Sequence, residues 1–328
     1  MLIVKQIRLP FTFLILVLFA SGNSALASHT LDPVCGNVFL DPTVLGGTEA
    51  FDACLLEGAN NPEVGVVLLH GRESSPDGPV VNELRTSLQT AGYTTLSIEN
   101  PAADPVTDTR IFADYKTDAT SATPYAFPET YARVKAAINH LQGLGVTKAV
   151  VVGFSMGSRL GTAAVARISL PSIPIIGLVG IGMYNNSNID PLDHDFTLDE
   201  VTVPVLDIYG DTDTSAVDGS AGRVNSYNAG SGTSYTQVVL DCDVALTTTQ
   251  CHQLVNLKGT DSDPLETTVN SWMACNAPLV SADCGSAPAI TSDGTVSSSS
   301  DGGGSMGTVS LAGLALFALL GLRRRISN

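Results

Sequence analysis

Residues 149–161 read Ala149-Val150-Val151-Val152-Gly153-Phe154-Ser155-Met156-Gly157-Ser158-Arg159-Leu160-Gly161. The first four are apolar and mostly β-branched, which suits a strand buried on both faces. Gly153 to Gly157 has the form G-x-S-x-G, and the small residues Gly161-Thr162-Ala163-Ala164 suit a closely packed helix. Strand, sharp turn and helix together are the context in which this pentad presents a serine as a nucleophile. Such a turn strains the backbone at Ser155, so the residues two positions away on either side must be nearly free of side chain. Glycine stands at both. The Ser155 hydroxyl is then expected off the C-terminal edge of a parallel sheet, at the positive end of the next helix.

The two ends of the chain read differently from its middle. Residues 1–27 begin with Lys5 and Arg8, continue through the apolar run Phe11–Ala20 and close on the small residues Ala25-Leu26-Ala27. That is the pattern of a secretory signal peptide, and the apolar run is short for a membrane span. Residues 285–305 are rich in Ser, Gly, Ala and Asp and read as a flexible linker. Met306 to Leu322 carries no charge and is closed by Arg323-Arg324-Arg325, so residues 306–328 read as a C-terminal transmembrane segment with its arginines on the cytoplasmic side. The order of glycine-rich motif, short span and arginine cluster resembles the GlyGly sorting tails of exported proteins of Gram-negative bacteria. That resemblance implies a sorting protease as partner, contact with the membrane before processing, and a final place in the periplasm, at the cell surface or in the medium.

Between these ends lie about 255 residues, enough for one large core and read as a single domain, 28–284. Of the 16 basic residues five lie in the terminal segments, which hold no acids, leaving 11 basic against 32 acidic groups in between. So negative a surface excludes nucleic acid as a partner and favours solubility. The six cysteines, Cys35, Cys54, Cys242, Cys251, Cys275 and Cys284, all fall in the exported region, where an even count implies disulfides. Closeness in sequence suggests the pairs Cys35–Cys54, Cys242–Cys251 and Cys275–Cys284. The C-x-x-C spacing of a zinc site is missing, and no metal or cofactor is expected.

Strand-like runs recur at Val64–Leu69, Tyr93–Ile98, Ile173–Ile181, Val203–Tyr209 and Tyr235–Leu240. Helices are expected at Val80–Ala91, Glu129–Leu144 and Leu265–Ala274, with a polar loop over Asn100–Pro128. This alternation predicts an α/β fold around a parallel sheet.

A serine nucleophile needs a base, and the base needs an acid to orient it. The run Val203–Tyr209 is followed by Gly210-Asp211-Thr212-Asp213, a loop that can present the acid: Asp213 first, Asp211 as the fallback. A calcium loop fits poorly, since the glycine and distal glutamate of an EF-hand do not follow. Five histidines compete for the base. His29 lies near the start of the exported region, His140 on a helix, His70 at the end of the first central strand, and His194 ahead of the acid strand. His252 alone follows the last strand. A Cys242–Cys251 bridge would restrain the loop that carries it. For the oxyanion of a tetrahedral intermediate, the donors expected are Met156 N–H, directly after the nucleophile, and Arg72 N–H, in the loop His70–Gly78.

Leu68-Leu69-His70-Gly71, the Ser155 pentad, Gly210–Asp213 and the late His252 together resemble an α/β-hydrolase over roughly residues 60–275. The segment His70–Gly78 with Leu84–Gly92 and Leu96-Ser97 is similar to a bacterial branch of that superfamily whose substrates are unassigned. The resemblance implies an α/β-hydrolase fold: a mostly parallel central sheet with helices on both faces. The departures are Gln250-Cys251-His252-Gln253, which lacks the usual Gly or Asp beside the histidine, and residues 28–60, which match nothing. The reading is an exported serine hydrolase acting on a small-molecule carboxylic ester through an acyl-enzyme on Ser155. The competing reading is a surface or binding protein that keeps the fold without the activity, and no feature separates esterase from peptidase.

Overall fold

A computed structural model describes residues 36–279, apart from residues 48, 60–62, 73, 102–115, 118–124, 127, 170, 184–196, 243–245, 255–256 and 258–263. All of them belong to one compact unit, Met1–Ser281, while a second, Ala282–Asn328, lies wholly outside the described residues. The expected signal peptide, linker and C-terminal segment therefore also lie outside them. Among the described residues no helix is long and apolar enough to cross a membrane.

The elements follow in the order β1 (Gly36–Leu40), β2 (Phe51–Leu56), β3 (Val64–Leu69), α1 (Pro79–Thr90), β4 (Thr94–Ile98), β5 (Lys116–Thr117), β6 (Tyr125–Ala126), α2 (Pro128–Gly143), β7 (Lys148–Phe154), α3 (Met156–Arg167), β8 (Ile175–Ile181), β9 (Val205–Gly210), α4 (Thr214–Ala229), β10 (Tyr235–Leu240), α5 (Thr248–Gln253) and α6 (Pro264–Asn276). Eight strands form one sheet in the order β1-β2-β4-β3-β7-β8-β9-β10, and β5 pairs only with β6. From β4 to β10 every pairing is parallel; β2 runs antiparallel to both β1 and β4. This is the α/β-hydrolase fold.

The near-continuous apolar runs of β3 and β7 follow from burial on both faces. Along β7, Ala149 and Val151 enter one core with Val67, Leu69, Leu160 and Ala163. Val150 and Val152 enter the opposite core with Val66, Leu68, Leu84 and Trp272. Helices α2 and α3 thus close one face, and α1 and α6 the other. Each fully buried Val or Leu contributes about 1.5–3 kcal/mol relative to exposure. These central strands therefore hold the frame on which the sheet's C-terminal edge is built.

Most expected elements lie within two residues of their observed bounds. Three of the departures from expectation concern the frame and its cysteines. Residues 28–60, which matched nothing, supply β1 and β2, with Phe51, Ala53 and Cys54 of β2 buried. Helix α4, rich in weak helix formers such as Ser, Gly and Asn, was not expected. It is held by tertiary contacts instead: Arg223, fully buried, pairs with Asp207 of β9 at 2.9 Å and donates to the Ala216 carbonyl at 3.0 Å. Tyr235 Oη and Gln237 Nε2 donate to the same Asp207 oxygen, each at 2.8 Å. Burial and the Asp207 charge hold the Tyr235 phenol protonated, far above its ordinary pKa. Because Arg223→Ala would leave Asp207 charged and unpaired in the interior, the expected loss is about 3–5 kcal/mol of stability, read by urea unfolding. The third departure concerns the cysteines. The bridge Cys242–Cys251 is formed, but Cys275 is a free, exposed thiol, and its expected partner Cys284 lies outside the described residues. Cys275 sits on an exposed face of the last turn of α6, and sequence proximity says nothing about which way a helical side chain points. Cys54 is disulfide-bonded, and its expected partner Cys35 lies outside the described residues.

Candidate active site

Ser155 stands between the end of β7 and the first turn of α3 with φ 53° and ψ −114°. A non-glycine residue in this region costs on the order of 1–3 kcal/mol and persists only where its surroundings impose it. Here the imposing contacts are visible. Ser155 N–H donates to the Ile181 carbonyl of β8 at 2.8 Å, and Ser158 N–H to the Ser155 carbonyl at 3.1 Å. The flanking glycines are required by space: a Cβ on Gly153 would lie 2.5 Å from Ser158 Cα, and one on Gly157 2.5 Å from the His70 carbonyl oxygen. Met156 opens α3 as its first residue, so its amide lies at the helix N-terminus, where no carbonyl of the preceding turn can accept it.

Four strand ends bring the other groups to this edge. Asp213 follows β9 as the residue before α4. Its side chain makes no hydrogen bond to that helix and instead lies 2.6 Å from His252 Nδ1 through Oδ2. Asp211, two residues earlier, turns the other way and accepts the Cys242 N–H at 3.1 Å. The Asp213 carboxylate is almost fully buried, while the imidazole keeps about a quarter of its surface exposed. His252 is not in a loop but in the last turn of α5, a helix begun by a reciprocal hydrogen-bond pair between Thr247 and Gln250. Ser155, Asp213 and His252 line one cavity of about 300 Å³ together with Ser215, Thr248 and Thr249.

Several residues that shape the site were not singled out from sequence. Gly182, at φ 58° just past β8, leaves room for the base: a Cβ there would stand 2.8 Å from His252 Cε1. The Phe154 ring packs against the imidazole with centroids 5.2 Å apart. Gly71 brings the loop after β3 close to the serine, since a Cβ there would lie 3.4 Å from Ser155 Cβ and 2.9 Å from the Phe154 ring. Arg72 follows, lining a neighbouring cavity of about 210 Å³ with Gly71, Phe154 and Gln253.

The loop that carries Arg72 is pinned from beneath. Buried Arg85 pairs with Asp77 at 2.8 Å and donates to the Pro76 carbonyl at 3.0 Å, which Ser97 Oγ also reaches at 2.7 Å. His70 Nε2 accepts the Asn100 N–H at 3.0 Å, so its proton is assigned to Nδ1, which donates to the Gly71 carbonyl at 2.7 Å. Among the described residues no peptide bond is cis. In the trans Gly71–Arg72 peptide the N–H points opposite to the carbonyl, and therefore away from the His70 ring. Asp211, Cys242 and Cys251 come within metal-ligating distance of one another, but the two sulfurs are joined in the bridge and are spent as ligands.

Residues 43–259, which hold Ser155, Asp213 and His252, match the model of a family described as protein of unknown function (DUF3530). The chain belongs to the DUF3530 family. No curated protein matches this DUF3530 member in sequence. Among solved structures it is similar to a dienelactone hydrolase from Anabaena variabilis, with 18% identity, a TM-score of 0.48, and coverage of 72% of this chain and 95% of that one. It is also similar to Est1E from Butyrivibrio proteoclasticus (15% identity, TM-score 0.47, 73% and 97% covered). A third similar structure is the esterase Pf2001 from Pyrococcus furiosus (14% identity, TM-score 0.49, 73% and 89% covered). Likeness at this level of identity does not reach substrate or activity.

Proposed function

We propose that the protein is a serine hydrolase that cleaves carboxylic esters through an acyl-enzyme on Ser155. The observation that supports this most is one arrangement: a serine strained to positive φ at a helix N-terminus, sharing a cavity with a histidine whose Nδ1 is held by a buried carboxylate. With Nδ1–H donated to Asp213, the accepting lone pair of His252 is on Nε2, the nitrogen that takes the Ser155 proton as Oγ attacks the ester carbonyl. Asp213 keeps that tautomer and stabilises the imidazolium that forms. The oxyanion is received by Met156 N–H and Arg72 N–H, the latter turned away from His70 by the Gly71 carbonyl contact. Collapse expels the alcohol, which leaves with the proton from Nε2. Water then attacks the acyl-enzyme with His252 again as base, releasing the acid and restoring Ser155.

The reading extends to an oxidising compartment outside the cytoplasm, supported by the buried Cys242–Cys251 bridge and the leader-like pattern of residues 1–27. A fluorophosphonate tests the chemistry directly. It should add covalently to Ser155, and the same preparation should hydrolyse p-nitrophenyl acetate. A folded protein inert to both would instead be a binding protein on this fold.

A further inference from the structure

We propose that the Cys242–Cys251 bridge, seated on Gly210, is a positioning element that locks the acid loop and the base helix into one unit, so that turnover depends on the bridge being intact. The inference rests on the serine-hydrolase reading above and goes beyond it. The bridge joins Cys242, two residues beyond the end of β10, to the residue immediately before the base, with Cα atoms 5.7 Å apart. Both sulfurs are buried, Cys242 being 2% exposed and Cys251 0%. Helix α5 has only six residues, too few to hold its own conformation in water. The direction of the His252 ring therefore depends on what anchors α5 to the sheet.

Two features tie that anchor to the acid side. Gly210 is the last residue of β9, directly ahead of Asp211 and Asp213. The space above its Cα is filled by the bridge: an added Cβ would overlap Cys251 Sγ and lie 2.6 Å from Cys242 Sγ. Asp211, which does not face the base, accepts the Cys242 N–H through its side chain and donates its own N–H to the Leu240 carbonyl at 3.0 Å. One sulfur is thus one peptide bond from the base, the other is hydrogen-bonded through its backbone to the acid loop, and both rest on the residue that leads into that loop. Without the bridge, the Nδ1–Oδ2 hydrogen bond and the Phe154 contact would have to hold a helix with no stability of its own, and the ring leaves Asp213 as α5 shifts.

The test compares wild type, Cys242→Ala/Cys251→Ala, Gly210→Ala, and the two combined, each with folding checked by thermal melting and active sites counted by fluorophosphonate titration. Displacing reacting groups by about an ångström costs about 100-fold, so the bridge-less protein should lose roughly 10- to 100-fold in kcat with KM nearly unchanged. It should also lose the low-field proton resonance of His252 Nδ1–H. Gly210→Ala should do the same while keeping the bridge, yet add less once both sulfurs are gone, because the Cβ then loses its two nearest contacts and keeps the Cys251 carbonyl oxygen at 2.9 Å. That non-additivity separates positioning from general loss of stability. A folded bridge-less protein with wild-type kcat and the Nδ1–H resonance intact overturns the proposal. If the double variant does not fold, Gly210→Ala alone decides, with wild-type kcat again overturning it. Should oxidised wild type itself be inert to the fluorophosphonate, the hydrolase reading fails separately. The resonance then decides the clamp: its loss in the variants upholds it, and its survival overturns it.

Discussion

Ser155→Ala is expected to lower ester turnover by about 10⁴-fold or more while leaving the fold intact, a loss of about 5.5 kcal/mol or more in transition-state stabilisation. The size of the effect follows from the loss of the covalent route: with no Oγ there is no acyl-enzyme, and only the oxyanion donors and substrate binding remain. The fold should hold because the side chain removed is small and half-exposed at the cavity. The substitution should even relieve no strain, since alanine at φ 53° meets the same backbone crowding as serine. The measurement is kcat and KM on p-nitrophenyl acetate, beside circular dichroism and urea unfolding of the same sample. Turnover near wild type in pure, folded Ser155→Ala would remove the nucleophile from this mechanism.

The second large effect is expected at the acid. Asp213→Asn should lower kcat by about 10⁴-fold, because an amide can donate to Nδ1 and so favour the tautomer with its proton on Nε2, the nitrogen that must accept. Asp211→Asn should change kcat far less. Its oxygen accepts the Cys242 N–H, and the amide oxygen of asparagine can accept the same bond. The two substitutions remove the same charge two residues apart, so a general electrostatic effect of the acidic loop would make them alike. Their ratio, measured at one pH and ionic strength, is the discriminating quantity. A larger loss at Asp211 would move the acid there.

What could be read from the chain alone is what backbone sterics and short-range periodicity control. The strand before Ser155, the need for glycine at 153 and 157 and the helix after it are settled within a dozen residues. So is the alternation of apolar runs that predicts a parallel sheet, because burial on both faces leaves its mark on every residue of a strand. Order along the chain also narrowed the base to His252 and the acid to two aspartates.

The tertiary structure decided what depends on side-chain direction and on partners far away in sequence. Asp211 and Asp213 share a loop and a chemistry, and only the path from β9 into α4 aims one carboxylate at His252 and the other at Cys242. Helix α4 has little helical signal of its own and is held by Arg223 against Asp207, 16 residues away in sequence. Strands β1 and β2 become strands only because β4 offers β2 an edge to pair with. Gly182 carries no motif, and the motif that holds Gly210 points to the acid and not to the bridge above it. Their need for an empty Cα face comes from His252 and the Cys242–Cys251 sulfurs, which the chain delivers to them from 32 or more residues further on. Local sterics are written in neighbouring residues; an empty space is defined only by what folds against it.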